Sequence, residues 1–145
     1  MGETVATEEF TYELSREVDA SAARAFEAWT DAAQYEEWTG AKPGSVELDA
    51  RAGGAWKSTV IVPGGGEFPL TGSYVEVTAG RRLVVAMDRP GDLPPSLMTA
   101  TFHELPGGTS RVTLFQGCDT AEERDMSQGG STMLLDSLVA YLARS

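Results

Sequence analysis

Polar and apolar side chains alternate from the ninth residue onward. Phe10, Tyr12, Leu14 and Val18 fall on one side, and Glu9, Thr11, Glu13, Ser15, Glu17 and Asp19 on the other. A period of two predicts a strand with one buried face. Ser21 then offers an N-cap to a short helix whose Ala22, Ala25, Phe26 and Trp29 share a face. Asp31 can cap a second short helix carrying Tyr35 and Trp38, and the segment from Gly40 to Gly44, with Pro43, ends it.

The pattern then returns to a period of two. Val46, Leu48 and Ala50 alternate up to Gly53-Gly54, and Trp56, Ser58, Val60 and Val62 lead to the turn Pro63-Gly64-Gly65-Gly66. Further strands are predicted around Leu70 to Val77, Leu83 to Met87, Met98 to Phe102 and Val112 to Leu114. Turns at Ala79-Gly80 and Pro106-Gly107-Gly108 and a proline-rich loop from Asp88 to Pro95 punctuate them. Regular short strands joined by glycine turns predict an antiparallel meander of about six strands.

The last segment changes period again. Leu134, Leu135, Leu138 and Leu142 have the spacing of one helix face. Carried toward the N-terminus, that face reads Ser131, Gly130 and Ser127, so its apolar stripe fades into small residues. A helix from Ala121 to Ala143 would be about 34 Å long at 1.5 Å per residue. A helix that packs at one end and leaves space at the other predicts a cavity beneath it. Gly129-Gly130 costs about 1 kcal/mol per residue inside a helix. Either the helix runs through the pair, or it starts near Gly130. The whole order predicts an α+β fold of one helix on a curved sheet.

Composition narrows the function classes. The chain has 145 residues, enough for one domain with its own core, and its 41% hydrophobic content is ordinary for a globular protein. A net charge of −11 argues against nucleic acid, whose phosphates need clustered cations, and against anionic membranes. No apolar run approaches the length of a membrane span. The N-terminal residues lack a basic and then an apolar region, and the single cysteine, Cys118, allows no internal disulfide. Together these predict a cytoplasmic protein.

Five segments taken in order resemble the START-like, or SRPBCC, superfamily of helix-grip proteins. Within it the chain is most similar to the bacterial branch named after the activator of the heat-shock protein 90 ATPase. The segments are SREVDASAARAFEAWTDAAQYEEWTG, VELDARAGGAWKSTV, GSYVEVTAGRRLVV, TFHELPGGTSRVTLFQG and LLDSLVAYL. The resemblance spans about residues 10–143. It implies a Bet v-like fold: six to seven antiparallel strands wrapped around the C-terminal helix, with two short helices after the first strand. It also implies a cavity for a small hydrophobic ligand. Alternatives within the superfamily are a cyclase- or aromatase-like enzyme, and a chaperone ATPase co-regulator. The family often has Gly-Trp where this chain has Gly130-Ser131. Ser131 therefore fits a widened cavity, or a site refilled by Met133 or Trp56.

Candidate ligand contacts follow. Phe26, Trp29, Tyr35, Trp38, Trp56 and Phe102 are the natural lining of an apolar pocket or simply the core, and Met87, on the strand with Leu83 and Val85, and Leu135, on the leucine face of the helix, are candidates beside them. Arg16, Tyr74 and Ser131 are candidate polar anchors. Arg16 sits on an apolar strand face and must find a partner or reach solvent. A structural ion pair with a residue such as Glu76 is favoured over a ligand carboxylate. The loop from Asp88 to Pro95 is the expected gate. His103, out of phase with Phe102, is expected in solvent, and Cys118 has no base placed to activate it. No catalytic residue, metal ligand or cofactor motif is identified, and dimerisation through the sheet edges is left open.

Overall fold

The structure is a computed structural model, and it describes residues 10–62, 64–89, 91 and 93–144. The alternation at the N-terminal end becomes β1 (Thr11–Val18), with Tyr12 and Val18 buried. Two short helices follow, α1 (Ala22–Thr30) and α2 (Ala32–Thr39), and their ends are fixed by side chains. The Ser21 hydroxyl accepts from the Arg24 amide at 3.1 Å, and the Asp31 carboxylate from the Gln34 amide at 3.2 Å. Glu104 adds a cap that the local sequence does not reveal, accepting the Ala22 amide at 2.8 Å. Gly40 closes α2 at φ 72°, a left-handed conformation that favours glycine.

Six more strands complete the meander: β2 (Glu47–Leu48), β3 (Ala55–Val62), β4 (Gly66–Thr78), β5 (Arg82–Met87), β6 (Ser96–Glu104) and β7 (Ser110–Gly117). They form one antiparallel sheet in the order β1-β7-β6-β5-β4-β3-β2. The N-terminal strand thus closes the meander by pairing with the last strand, Leu14 opposite Leu114. At Gly72 a Cβ would run into the Ala86 carbonyl of β5, and the β4–β5 register shifts between Tyr74 and Glu76. An irregularity of this kind bends a strand and increases its twist.

A single helix, α3 (Ala121–Arg144), runs through Gly129 and Gly130 without a break. Its buried face is Ser131, Leu135, Leu138, Tyr141 and Leu142. Leu135 and Leu138 are fully buried, and each such side chain contributes about 1.5–3 kcal/mol by leaving water. At its N-terminal end the Thr120 hydroxyl accepts the Glu123 amide and the Glu123 carboxylate accepts the Asp119 amide, each at 3.0 Å. The helix-grip fold expected from the sequence is therefore the fold observed. One expected strand is shorter than its alternation suggests, because only Glu47 and Leu48 pair with β3.

Candidate functional site

The core changes character along the sheet. In β7 the buried side chains run Ser110, Val112, Leu114, Gln116, and in β6 they run Phe102, Ala100, Met98, Ser96. In β1 the same direction leads from Val18 to Tyr12, and in α3 from Leu142 to Ser131. Four elements thus bring a polar side chain to the same end of the core. There the Tyr12 hydroxyl donates to Gln116 Oε1 at 2.6 Å and lies 2.7 Å from Ser131 Oγ, while Gln116 Nε2 donates to Ser96 Oγ at 2.6 Å. Burial pushes the Tyr12 hydroxyl above its ordinary pKa, an effect its bond to Ser131 partly offsets. The group stays protonated at neutral pH, as the donor role requires.

Next to this polar layer lies a cavity of about 590 Å3. α3 forms one wall with Ser127, Gly130, Ser131, Met133, Leu134 and Ser137. The sheet forms the other with Trp56, Ser58, Leu70, Met87, Met98 and Gln116. Tyr35 and Thr39 of α2 and Ala41 close one side, and Val60, Ile61 and Val62 extend the wall into solvent. Among the described residues none that lines it is formally charged. Met133, 72% exposed, stands at the rim rather than filling the space beside Ser131. A Cβ built on Gly130 would touch nothing within 4 Å, so this glycine leaves open space and does not permit a close helix–sheet contact. A smaller depression of about 270 Å3 on the other face of the sheet lies among solvent-facing strand residues such as Glu13, Thr99 and Thr113.

The residues proposed from sequence are divided by the structure. Trp56, Met87 and Ser131 line the cavity. Phe26, Trp29, Trp38 and Phe102 pack on one another instead, Phe26 on Phe102 at 5.5 Å and Trp29 on Trp38 at 5.0 Å between ring centres. Tyr35 continues the series, 5.3 Å from Trp38 and 6.4 Å from Trp56, and so joins this aromatic core to the cavity wall. Leu135 is fully buried among the core side chains. Tyr74 is buried beside them with its hydroxyl unpartnered.

Arg16 is half-buried, and its guanidinium Nε donates to Asp136 of α3 at 3.1 Å. The expected partner was different: Glu76 bonds Arg82 at 3.2 Å, four strands away across the sheet from β1. An edge strand under a helix finds its counter-charge on that helix. The loop expected as the gate is held apart from the cavity lining. None of the described residues of the 88–95 loop lines the cavity, and Arg89 ties that loop to Asp119 at 2.9 Å and Glu123 at 3.4 Å. His103 is exposed. Cys118 is a buried free thiol whose pKa is raised chiefly by desolvation, which makes it a poor nucleophile.

Sequence reasoning missed Gln116, Tyr12 and Ser96 as a site. The signal was present as phase: Gln116 continues Val112 and Leu114, and Ser96 continues Met98 and Ala100, on the buried strand faces.

Comparison with known proteins places this architecture. Residues 19–143 match the model of the family described as Activator of Hsp90 ATPase homolog 1-like protein. The chain belongs to this family. Solved structures with the same fold include an AHSA1-like protein from Aeromonas hydrophila. It is 23% identical with a TM-score of 0.74, the match covering 92% of this chain and 93% of that one. A protein from Chromobacterium violaceum is 25% identical over 91% of this chain and 96% of its own, with a TM-score of 0.76. One from Rhizobium loti is 26% identical over the same shares, with a TM-score of 0.73. No curated protein matches this member of the family. Among its described residues no helix is long and apolar enough to cross a membrane.

Proposed function

We propose that the chain is a cytoplasmic binding protein for a small, largely apolar molecule held between α3 and the concave face of the sheet. The observation that carries this reading is the cavity of about 590 Å3, with apolar and aromatic walls and a few uncharged polar groups. Ligand sites have this size and lining, typically about 300–1,000 Å3. Packing defects are far smaller, because protein interiors hold few voids larger than a water molecule. The buried free thiol of Cys118 fits a reducing compartment.

Binding is favoured over turnover by the same lining. Among the described residues it offers no carboxylate, imidazole or amine, and burial raises the pKa of the phenol it does hold, Tyr35, well above the ordinary value. A proton so tightly held is a poor general acid and leaves no base at neutral pH. Native mass spectrometry of freshly purified protein tests the reading. A non-covalent adduct is expected on the native chain and absent from Ser131→Trp, with unchanged far-UV circular dichroism. Equal adducts on both proteins would remove the cavity as the binding site.

A further inference from the structure

The polar layer beside the cavity has a direction. Tyr12 carries one hydroxyl hydrogen and gives it to Gln116 Oε1, so the hydrogen between Tyr12 and Ser131 belongs to Ser131. Gln116 in turn uses its carbonyl toward Tyr12 and one amide hydrogen toward Ser96. Two capacities are left unused in this chain of bonds. Ser131 Oγ keeps its acceptor lone pairs, and Gln116 Nε2 keeps a second hydrogen. Ser131 and Gln116 both line the cavity, whereas Tyr12 and Ser96 stand behind them. Ser131 Oγ and Gln116 Oε1 lie 2.7 and 2.6 Å from the same Tyr12 oxygen, so this one hydroxyl holds the serine and the glutamine amide as neighbours at the cavity wall.

An acceptor beside a donor, in a cavity without charge, selects the group that complements it. A hydroxyl donates once and accepts, and it brings no charge to desolvate. A carboxylate offers Ser131 no hydrogen, an ammonium offers Gln116 no lone pair, and either would be buried without a counter-charge. An ether or ketone leaves Ser131 unanswered.

We infer that the ligand is an uncharged apolar molecule bearing a hydroxyl, anchored by donating to Ser131 Oγ and accepting from Gln116 Nε2. This inference rests on the cavity as the binding site and specifies what the cavity selects.

Four fluorescent probes with one common body test it: 1-pyrenemethanol, its methyl ether, 1-pyrenecarboxylate and 1-pyrenemethylammonium, titrated by anisotropy at neutral pH. The alcohol is expected to bind about five-fold more tightly than the ether, the scale of one net hydrogen bond. The two ions should bind more weakly still. In Ser131→Ala the alcohol's advantage should disappear while the ether's affinity holds, and Gln116→Leu should weaken both neutral probes. Circular dichroism checks that each variant is folded. An ether equal to the alcohol, or a carboxylate that binds most tightly, overturns the hydroxyl anchor and leaves the cavity reading standing. Binding of all four probes that is indifferent to Ser131→Trp, or no binding of any probe, overturns the cavity reading and this one with it.

Discussion

Replacing both Gly129 and Gly130 with alanine should make the protein more stable. Both glycines lie inside α3, and a Cβ added at either position meets no atom within 4 Å. The substitution therefore gains helix propensity without a steric cost. Each change is worth about 0.8–1.0 kcal/mol, so the pair should add about 1.5–2 kcal/mol. For a domain of this size that corresponds to a rise in Tm of about 6 °C. Urea denaturation followed by circular dichroism measures it, with the midpoint rising and the slope unchanged. The two sites differ in one respect: Gly130 lines the cavity and Gly129 is not among the lining residues. Both single variants should stabilise, but only Gly130→Ala, and more strongly Gly130→Leu, should weaken binding of a neutral pyrene probe. A double variant that is less stable than the native chain would refute the continuous helix with open space beneath it.

Further consequences follow from the polar layer and the buried phenols. Tyr12→Phe leaves Ser131 and Gln116 without their shared partner and should cost about 2 kcal/mol in urea denaturation; a loss below about 0.5 kcal/mol would contradict the network. Tyr74→Phe removes a hydroxyl that is buried without a partner, so it should be neutral or stabilise by about 1 kcal/mol in the same assay. The pKa values of Tyr12, Tyr35 and Tyr74 are all raised chiefly by burial, so the folded state holds their protons more tightly than the unfolded chain does. Their contribution is fully present below the unfolded value near 10 and is lost as pH rises beyond it. The urea midpoint should begin to fall near pH 10, and a midpoint unchanged well above that pH would refute the burial of these hydroxyls.

The parts of the fold legible in the sequence are those written in local periodicity. The phase of β1, the caps at Ser21 and Asp31 and the leucine face of α3 each depend on residues within a few positions of one another. Partners across the fold are not written there. Arg16 meets Asp136 because β1 lies under α3, and Ala22 meets Glu104 because β6 ends beside α1. Neither neighbour follows from spacing along the chain. The aromatic residues show a different limit. Composition and phase place Phe26, Trp29, Trp38 and Phe102 inside, but core and cavity wall have the same sequence signature. What separates them is whether the space opposite is filled. Ser131 was legible because a small residue interrupted a bulky stripe, whereas Gln116 shows in the sequence only as a polar residue in phase with Val112 and Leu114, and its partners emerge when β1 and α3 are laid against it.

The aromatic series that crosses the core also makes the protein its own optical instrument. All three tryptophans are buried, yet Trp56 alone among them faces the cavity, while Trp29 and Trp38 lie behind Tyr35. A molecule in the cavity would quench or shift one emitter directly. The remaining two would report the integrity of the core in the same spectrum. Occupancy and unfolding can thus be separated without a label, and Trp56→Phe would silence the first signal while sparing the second.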